Sequence, residues 1–376
     1  MKTIQIVGNS TYGGATYLIV KWCKYLIDKG WHVDILCTDQ QTKDKLLSIP
    51  NIRVISNIFI PREINLGIDL VAIYKMIVLM RKEKYEVVHT YTATPSILGR
   101  FSAWVSGVEK IYHHQAGWTI DTSSSKLQKK IFALIERIAS SMSTKSICVG
   151  EGVAQEARKN RLIPESKMKI IHNGIDPSPF INPDLNPSRI RESLSLPQNA
   201  IVIGCTSRLS IQKDIMSLVQ AFALLPNQIN GHDLFLVIAG EGEERQSLIN
   251  FALSNHLKDR IIILGYFENI PALLSCIDIY VSPTLREGLS ISLLEAMAAA
   301  KPIIATNILA NQEIIIENKT GILVPIKSTK KIAESLEYLI QNPNLALQYG
   351  VNARELVLNN YTIDRMCQET YQLYTE

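Results

Sequence analysis

The chain has 376 residues, of which 47% are hydrophobic and 20% are charged, and its formal net charge is +4. This length exceeds one ordinary hydrophobic core and fits two domains, each of under about 200 residues. So small a net charge excludes a uniformly basic or acidic chain. Partners are therefore inferred from where the charges lie, and no nucleic-acid partner is expected.

The cysteines and the N-terminus indicate a cytoplasmic protein. No CxxC and no zinc-ligand spacing occurs, which predicts buried, reduced thiols. The N-terminus MKTIQIVGNS enters a strand without a signal-peptide pattern, and no window reaches the ~18 apolar residues that span a bilayer. The six cysteines are Cys23, Cys37, Cys148, Cys205, Cys276 and Cys367.

Short apolar runs typical of β-strands alternate with helical stretches along the chain. The runs of the first half are TIQIVG, HVDILCT, IRVIS, EVVHT, KIYHH, SICVG and KIIHN, and those of the second half are AIVIGCTS, DLFLVIAG, RIIILG, IDIYVS, PIIAT and GILVP. Helical periodicity marks the intervening stretches, such as 15–29 and 70–84. Continuous apolar strands separated by helices predict an α/β fold with parallel sheets covered on both faces.

A proline-rich linker divides the two halves. The segment 173–188, NGIDPSPFINPDLNPS, holds four prolines and few periodic apolar positions. We therefore predict two doubly wound, Rossmann-like domains, residues 1–178 and 179–358, that face each other across a cleft. Ligands of such sheets bind at the carboxyl ends of the strands, so the active site is expected in this cleft.

Two features of the first half lie at predicted strand ends. GNSTYGGATY, residues 8–17, is not a GxGxxG dinucleotide fingerprint, but Gly13 and Gly14 permit a ligand to approach the backbone closely. His89 ends one strand, and His113 and His114 end another. The histidines have no paired metal-ligand spacing, so no metal is expected, and both a sugar contact and a structural role stay open.

The segment 124–145, SSKLQKKIFALIERIASSMSTK, has basic residues beside apolar positions at three- and four-residue spacing. Such a helix either covers the first sheet with its apolar stripe or lies on an anionic membrane. The stripe is Leu127, Ile131, Leu134, Ile135 and Ile138, widened by Phe132 and Ala133, and the cations are Lys126, Lys129, Lys130 and Arg137.

Cations follow the first strand of the second half. In GCTSRLSIQKD, residues 204–214, Arg208 and Lys213 enter the loop after the predicted strand. Two cations at the carboxyl edge of a parallel sheet suit a diphosphate, which arginine binds through its planar fork and lysine as a point charge. Solvated surface cations are the plainer alternative.

The segment 282–306 places carboxylates around a predicted helix N-terminus. Gly288 permits close approach, and Ser290 is a candidate N-cap of a helix that starts near Leu289 or Ser290. The amides of the first turn form an anion site suited to phosphate. Glu287 before that site and Glu295 within the helix are suited to accept hydrogen bonds from sugar hydroxyls. A capped helix with an incidental second glutamate is the plainer alternative.

These segments together resemble the family 4 glycosyltransferases, which are retaining enzymes of the GT-B fold. EGLSISLLE resembles the family's E-x7-E signature, and SRLSIQKD resembles its G-R-L-x-x-x-K-G segment. HNGID at 172–176 and VVHTYTATPSILGR at 87–100 resemble motifs of the hinge and of the first domain. The resemblance implies that residues 359–376 form a helix that crosses back onto the first domain.

The same resemblance implies roles for the site residues. Arg208 and Lys213 would hold the donor pyrophosphate, Glu295 the ribose and Glu287 the transferred sugar. The expected catalytic residues are Glu287, Arg208, Lys213, His113 and His114. The expected donor-binding residues are Gly13, Gly14, Arg208, Lys213, Glu287, Gly288, Leu289, Ser290 and Glu295.

Some positions depart from the family pattern. Ala116 stands where the family usually has a histidine that faces the donor sugar, so either His113 or His114 replaces it or the contact is missing. Tyr91 replaces a second histidine, Thr16 stands where glutamate often occurs, and Asp214 stands where glycine is usual.

The expected reaction is transfer of a hexosyl unit from a nucleotide diphosphate sugar, with a UDP-sugar as the expected donor. The anomeric configuration is retained, the acceptor is a glycan or a lipid-linked glycan of cell-surface polysaccharide synthesis, and no cofactor or metal is required. A nucleotide-sugar 2-epimerase of the same fold and a non-catalytic nucleotide-sugar binding subunit are the alternatives. Contact with the cytoplasmic face of an anionic membrane is also expected.

Overall fold

A computed structural model describes residues 1–9, 13–61, 65–118, 125–181 and 186–376. The chain forms two compact units, Met1–Gly174 with Ile363–Glu376, and Ile175–Thr362. The sequence predicts domain boundaries at 178/179 and 358/359. In the structure, the boundaries between the units lie at 174/175 and 362/363, four residues earlier and four residues later, respectively. Residues 10–12 of the glycine loop, Ser124 of the basic segment and residues 182–185 of the expected linker lie outside the described residues.

The first unit is built on a parallel sheet. Its strands run in the order β3-β2-β1-β4-β5-β6-β7, and each neighbouring pair is parallel. The strands are β1 (Lys2–Gly8), β2 (His32–Cys37), β3 (Ile52–Ile55), β4 (Val87–Tyr91), β5 (Lys110–Gln115), β6 (Lys145–Cys148) and β7 (Met168–Ile170). The helices between them are α1 (Gly14–Asp28), α2 (Gln40–Leu47), α3 (Leu66–Glu83), α4 (Ala93–Val105), α5 (Lys126–Ser141) and α6 (Glu151–Asn160).

The second unit repeats this plan. Its main path is β11-β10-β8-β12-β13-β14, and the short β9 pairs antiparallel with β10. The strands are β8 (Ile201–Thr206), β9 (Gln228–Ile229), β10 (His232–Ala239), β11 (Ile261–Gly265), β12 (Ile279–Ser282), β13 (Ile303–Thr306) and β14 (Gly321–Val324). The helices are α7 (Pro187–Ser193), α8 (Ile215–Ala223), α9 (Arg245–Ser254), α10 (Ile270–Cys276), α11 (Ile291–Ala298), α12 (Leu309–Ile314), α13 (Thr329–Gln341) and α14 (Pro343–Asn360).

Both strand orders are those of the doubly wound Rossmann arrangement. The central strands are buried along most of their length, as expected for parallel strands with helices on both faces, whereas the edge strands β3, β7, β11 and β14 are only partly buried. The fold class predicted from sequence is therefore confirmed, and each predicted strand is present. The two-residue β9 was not predicted, because so short a strand has no apolar run of its own.

The last helix, α15 (Ile363–Thr375), returns to the first unit, as the family resemblance implied. Its Tyr374 ring packs edge-on against Trp22 of α1, with centroids 5.2 Å apart, and stacks on Tyr112 of β5 at 4.8 Å. The side chain of Tyr112 also donates a hydrogen bond of 2.6 Å to Leu373 O. These aromatic contacts complete the core of the first unit with residues from the end of the chain.

All six cysteines are buried and free, as their apolar surroundings predicted. Among the described residues, no helix is long and apolar enough to cross a membrane.

Candidate active site

The carboxyl ends of β8 and β12 lie side by side in the second unit, where the strand order reverses. Ligands of doubly wound sheets bind at this switch point. The chain leaves β8 at Thr206 and β12 at Ser282. The loops that carry Arg208 and Glu287 therefore begin next to each other, and the fold of this unit brings two of the predicted site segments together.

Two glycines of a neighbouring loop fix the backbone around Arg208. Gly240 and Gly242 have φ values of +151° and +157°, and a Cβ there would lie 1.8 Å from Ser207 O and 2.1 Å from Leu209 O, respectively. Only glycine permits so close an approach with this backbone conformation. The Arg208 side chain, carried by this braced loop, is exposed.

Lys213 and Glu287 form an ion pair across the two loops, and each side chain is 17% exposed. The loops are also joined through Gln212, whose carbonyl accepts a hydrogen bond of 2.9 Å from Leu285 N. Its side-chain amide donates one of 2.8 Å to Arg286 O. The positions of the lysine and the glutamate are thus fixed by the backbone as well as by their charges.

Asp214 explains one departure from the family pattern. Its φ is +49°, in the left-handed region, where glycine has no steric penalty and aspartate is better tolerated than most residues. Its carboxylate accepts a hydrogen bond of 2.8 Å from Ser217 Oγ at the start of α8. The aspartate therefore preserves the turn that places Lys213.

The helix α11 begins at Ile291, one residue later than the latest start expected from sequence. Ser290 is its N-cap, as predicted, and its Oγ accepts a hydrogen bond from Leu293 N at 3.4 Å. Gly288 and Leu289 precede the cap and are buried. The N-terminus of α11 is therefore held close to the pair formed by Lys213 and Glu287.

Glu295 lies just over one turn into α11 and is half-buried. Burial raises the pKa of its carboxyl group from 4.5 to about 7. Near neutral pH this side chain exists in both the protonated and the ionised form. It can therefore both donate a hydrogen bond to a hydroxyl group and accept one.

The structure separates the two adjacent histidines of the first unit. His113 is 2% exposed; its Nδ1 lies 3.1 Å from Thr90 O and its Nε2 lies 2.6 Å from Gln115 Oε1. Burial, followed by the positive charge of Arg100, lowers the pKa of His113 to about 3. His114 is half-buried. These contacts favour His114 over His113 as a ligand-binding residue.

His114 is neutral at physiological pH, because burial lowers its pKa to about 4 against a hydrogen bond with Asn173 that raises it. Ala116, two residues on, is exposed. The other family position in this unit, Tyr91, is buried, and its hydroxyl donates a hydrogen bond of 2.8 Å to Gln5 Oε1. Tyr91 thus has a partner within the core.

The glycine loop leads directly into α1. Gly13 and Gly14 are exposed at its start, and a Cβ on Gly13 would meet no atom within 4 Å. Thr16, which stands where the family often has glutamate, closes the first turn. Its Oγ1 accepts a hydrogen bond of 2.7 Å from Gly13 N. The contact of these two glycines with a ligand stays a prediction from the sequence.

Arg100, in the segment that resembles a family motif, lies in the interior of the first unit. Its side chain is 0% exposed and forms a bidentate ion pair with Glu136 of α5, with N–O distances of 2.9 and 3.2 Å. It also donates hydrogen bonds to Ser96 O and Ser96 Oγ. This residue therefore joins α4 to α5.

Sequence reasoning missed Arg100 as an ion-pair partner and Gly240 and Gly242 as supports of the site. The glycines had a signal, since Gly240 ends the predicted strand run DLFLVIAG and Gly242 follows it, in the stretch AGEGEE. The ion pair had none, because its two members lie 36 residues apart.

Two sequence-family models cover most of the chain. The model described as Glycosyltransferase Family 4 matches residues 12–179, and the model described as Glycosyl transferases group 1 matches residues 187–356. A galactosyltransferase of Escherichia coli, UDP-Gal:alpha-D-GlcNAc-diphosphoundecaprenol alpha-1,3-galactosyltransferase, is 28% identical over 85% of this chain and 83% of its own. CapM of Staphylococcus aureus, a capsular polysaccharide biosynthesis glycosyltransferase, is 26% identical over 83% of this chain and 82% of its own.

Solved structures share the fold. Anabaena HepE, in a complex with UDP and glucose, superposes with a TM-score of 0.86 at 19% identity, covering 100% of this chain and 99% of its own. The two Rossmann-ordered sheets and this structural likeness show that the chain has the GT-B fold. With both family models matched, the chain belongs to the family 4 glycosyltransferases.

Proposed function

We propose that this glycosyltransferase transfers a hexosyl unit from a UDP-sugar to a glycan or a lipid-linked glycan in cell-surface polysaccharide synthesis, with retention of the anomeric configuration. The observation that carries the proposal is the ion pair between Lys213 and Glu287, beside exposed Arg208, at the switch point of the second unit. The names of the E. coli and S. aureus relatives support the donor and acceptor classes.

The donor diphosphate binds to Arg208, Lys213 and the amides that follow Gly288. Arginine and lysine are the side chains suited to phosphate, and the N-terminus of α11 adds its dipole. When the diphosphate becomes the partner of Lys213, the carboxylate of Glu287 is released to accept hydrogen bonds from the transferred sugar. Glu295 binds the ribose hydroxyls.

The chemical step breaks the bond between the anomeric carbon and the diphosphate oxygen and forms a bond to the acceptor oxygen. The proton of the acceptor hydroxyl passes to the departing diphosphate. Negative charge develops on that leaving group, so its stabilisation is the main catalytic act. Each preorganised donor contributes about 3 kcal/mol, and Arg208 and Lys213 supply the positive charge without a divalent metal.

His114 contacts the transferred sugar in place of the family histidine that is absent at Ala116. The proposal rests on its partial exposure and its neutral ring, which can exchange hydrogen bonds with hydroxyl groups. Where the acceptor is lipid-linked, it lies in a bilayer, so peripheral contact with an anionic membrane is part of the same proposal.

The test incubates the purified protein with a panel of nucleotide sugars, with and without a GlcNAc-diphospholipid acceptor and a chelator, and identifies products by mass spectrometry and NMR. We expect an α-linked product that requires the acceptor and forms in the presence of the chelator. Conversion of the nucleotide sugar without acceptor would instead identify an epimerase. A chain that binds UDP and converts nothing would be a binding subunit.

Arg208→Ala and Lys213→Ala should each lower kcat/KM by about two orders of magnitude, because the diphosphate loses a cation. Lys258→Ala is the matched control, since Lys258 is also exposed in the second unit, outside the switch point. Far-UV circular dichroism verifies that the variants fold. Unchanged kinetics in both site variants would contradict the donor-phosphate assignment.

A further inference from the structure

The helices α3, α4 and α5 form one layer of the first unit. They are the crossovers that link β3 to β4, β4 to β5 and β5 to β6, and right-handed crossovers in this order lie on one side of the sheet. α4 packs against both α3 and α5. We call the solvent side of these helices the outer helix face.

The outer helix face exposes many large apolar side chains. On α5 the exposed residues recur at helical spacing, so the apolar stripe predicted from sequence points to solvent and does not cover the sheet. The prediction that this stripe covers the first sheet is therefore wrong for its four exposed residues on α5. The exposed residues are Leu66, Ile68, Leu70, Val71, Tyr74 and Val78 on α3, Phe101 and Trp104 on α4, and Leu127, Ile131, Leu134 and Ile138 on α5.

Polar contacts on the buried face of α5 explain why its apolar stripe faces solvent. The buried residues of α5 are Glu136, Ala139 and Ser140. Glu136 pairs with Arg100 of α4 and accepts a hydrogen bond of 3.2 Å from Ser140 Oγ. Because an unpaired buried charge is costly, this network fixes the rotation of α5 about its axis. This rotation places the apolar stripe of α5 on the solvent side of the helix.

The charges of the outer helix face are segregated. The three helices contain three acidic residues: Asp69 and Glu136 are buried, and Glu83 forms ion pairs with Lys2 and Arg53. Their cations, in contrast, are mostly exposed. The exposed cations are Lys75, Arg81, Lys82, Lys126, Lys130 and Arg137.

We propose that the outer helix face is the surface by which this protein binds an anionic lipid bilayer. Apolar side chains between cations of one sign fit the boundary between acyl chains and anionic headgroups. Trp104 and Tyr74 are of the residue types that anchor proteins at this boundary. A second copy of the chain fits less well, since it would place cations opposite cations. This proposal deepens the membrane contact proposed above by naming its surface.

The test is flotation of the full chain with vesicles of phosphatidylglycerol and phosphatidylcholine, and with vesicles of phosphatidylcholine alone, at low and high ionic strength. Wild-type protein should float with the anionic vesicles at low ionic strength and at least tenfold less at high ionic strength. The variants Leu127→Ser/Ile131→Ser/Leu134→Ser and Lys126→Glu/Lys129→Glu/Lys130→Glu should each lower the partition coefficient at least tenfold. Flotation of both variants like wild type, or none by wild type at low ionic strength, overturns the proposal.

Matched controls make the same kinds of change on the second unit. Leu347→Ser/Val351→Ser alters exposed apolar residues of α14, and Lys258→Glu/Lys330→Glu/Lys331→Glu alters exposed cations. Both should float like wild type, and a loss equal to that of the α5 variants would contradict the proposal. Sedimentation without vesicles should show no self-association through the outer helix face. A wild-type dimer that the α5 serine variant makes monomeric would assign the face to a second copy and overturn the proposal.

UDP binding measured by calorimetry separates this proposal from the proposed function. The α5 variants should bind UDP like wild type, because they change residues of the first unit, whereas the proposed UDP site belongs to the second unit. If the α5 variants no longer float with the vesicles but still bind UDP, the outer helix face is supported as the membrane-binding surface. Flotation of a wild-type chain that binds no UDP would instead contradict the proposed function and leave the membrane surface supported.

Discussion

The helices α5 and α13 have the same amphipathic pattern and are used in opposite ways. On α13 the apolar stripe is buried in the core of the second unit, where Ile332, Leu336 and Leu339 are at most 1% exposed. On α5 the stripe is exposed, with Leu127 at 67% and Leu134 at 56%. A periodic stripe therefore predicts a helix but not the direction in which the stripe points.

The difference arises from the side chains that meet the inner surface of each helix. α13 meets apolar residues of β14 and α8, so its apolar stripe packs inwards. α5 meets Arg100, which is buried and needs the carboxylate of Glu136. The buried charge of Arg100, on α4, therefore decides which face of α5 packs inwards.

The largest expected effect comes from removing the residue that orients α5. Arg100→Ala leaves Glu136 buried without its cation, so the free energy of unfolding of the first unit should fall by about 3–5 kcal/mol. Chemical denaturation followed by tryptophan fluorescence measures this, because all four tryptophans, Trp22, Trp31, Trp104 and Trp118, lie in the first unit.

The control for this change is Arg100→Leu combined with Glu136→Leu. Replacing both members of a buried ion pair with apolar residues is often nearly neutral. The double variant should therefore recover most of the lost stability. If Arg100→Ala alone were as stable as wild type, the ion pair would not be what orients α5.

The second test compares equivalent leucines of the two helices. Leu336→Ala on α13 opens a cavity in the core and should cost about 2–5 kcal/mol. Leu134→Ala on α5 removes an exposed side chain and should change stability by no more than about 0.5 kcal/mol. Denaturation followed by far-UV circular dichroism reports on both units. Equal losses would show that the stripe of α5 is covered in solution.

The smallest expected effect concerns the pH dependence of two carboxyl groups. Burial raises the pKa of Glu295, whereas for Glu136 the same effect of burial is outweighed by Arg100, so that its pKa is lowered. Between the ordinary pKa of 4.5 and about 7, the folded state keeps the Glu295 proton that the unfolded state releases. Stability should therefore fall as the pH rises through this range, by about 1–2 kcal/mol for a half-buried group.

The opposite sign is expected for Glu136. Its stabilising effect is present above pH 4.5 and is lost as the pH falls through its lowered folded-state pKa. Denaturation of Glu295→Gln and Glu136→Gln across pH measures both effects. The glutamine variant at 295 should lack the loss between pH 4.5 and 7, and the variant at 136 should approach wild type only in acid. Parallel pH profiles would show that the two carboxyl groups share one environment.

Much of the candidate site could be predicted because it depends on order along the chain. Arg208 and Glu287 each follow an apolar strand, and parallel strands bring such positions to one edge of a sheet. Ser290 was predicted as an N-cap from its residue type, and the cap is observed. The ion pair between Lys213 and Glu287 was not predicted, since it joins residues 74 positions apart.

The sequence by itself determined the two sheets, because continuous apolar runs between helical stretches have few other ways to be buried. It also placed the cations and carboxylates at strand ends. Only the tertiary structure decided that His113 lies in the core while His114 keeps some exposure, and that Arg100 joins two helices. It alone decided that the stripe of α5 points outwards. Burial and pairing depend on neighbours distant in the chain, which local periodicity does not contain.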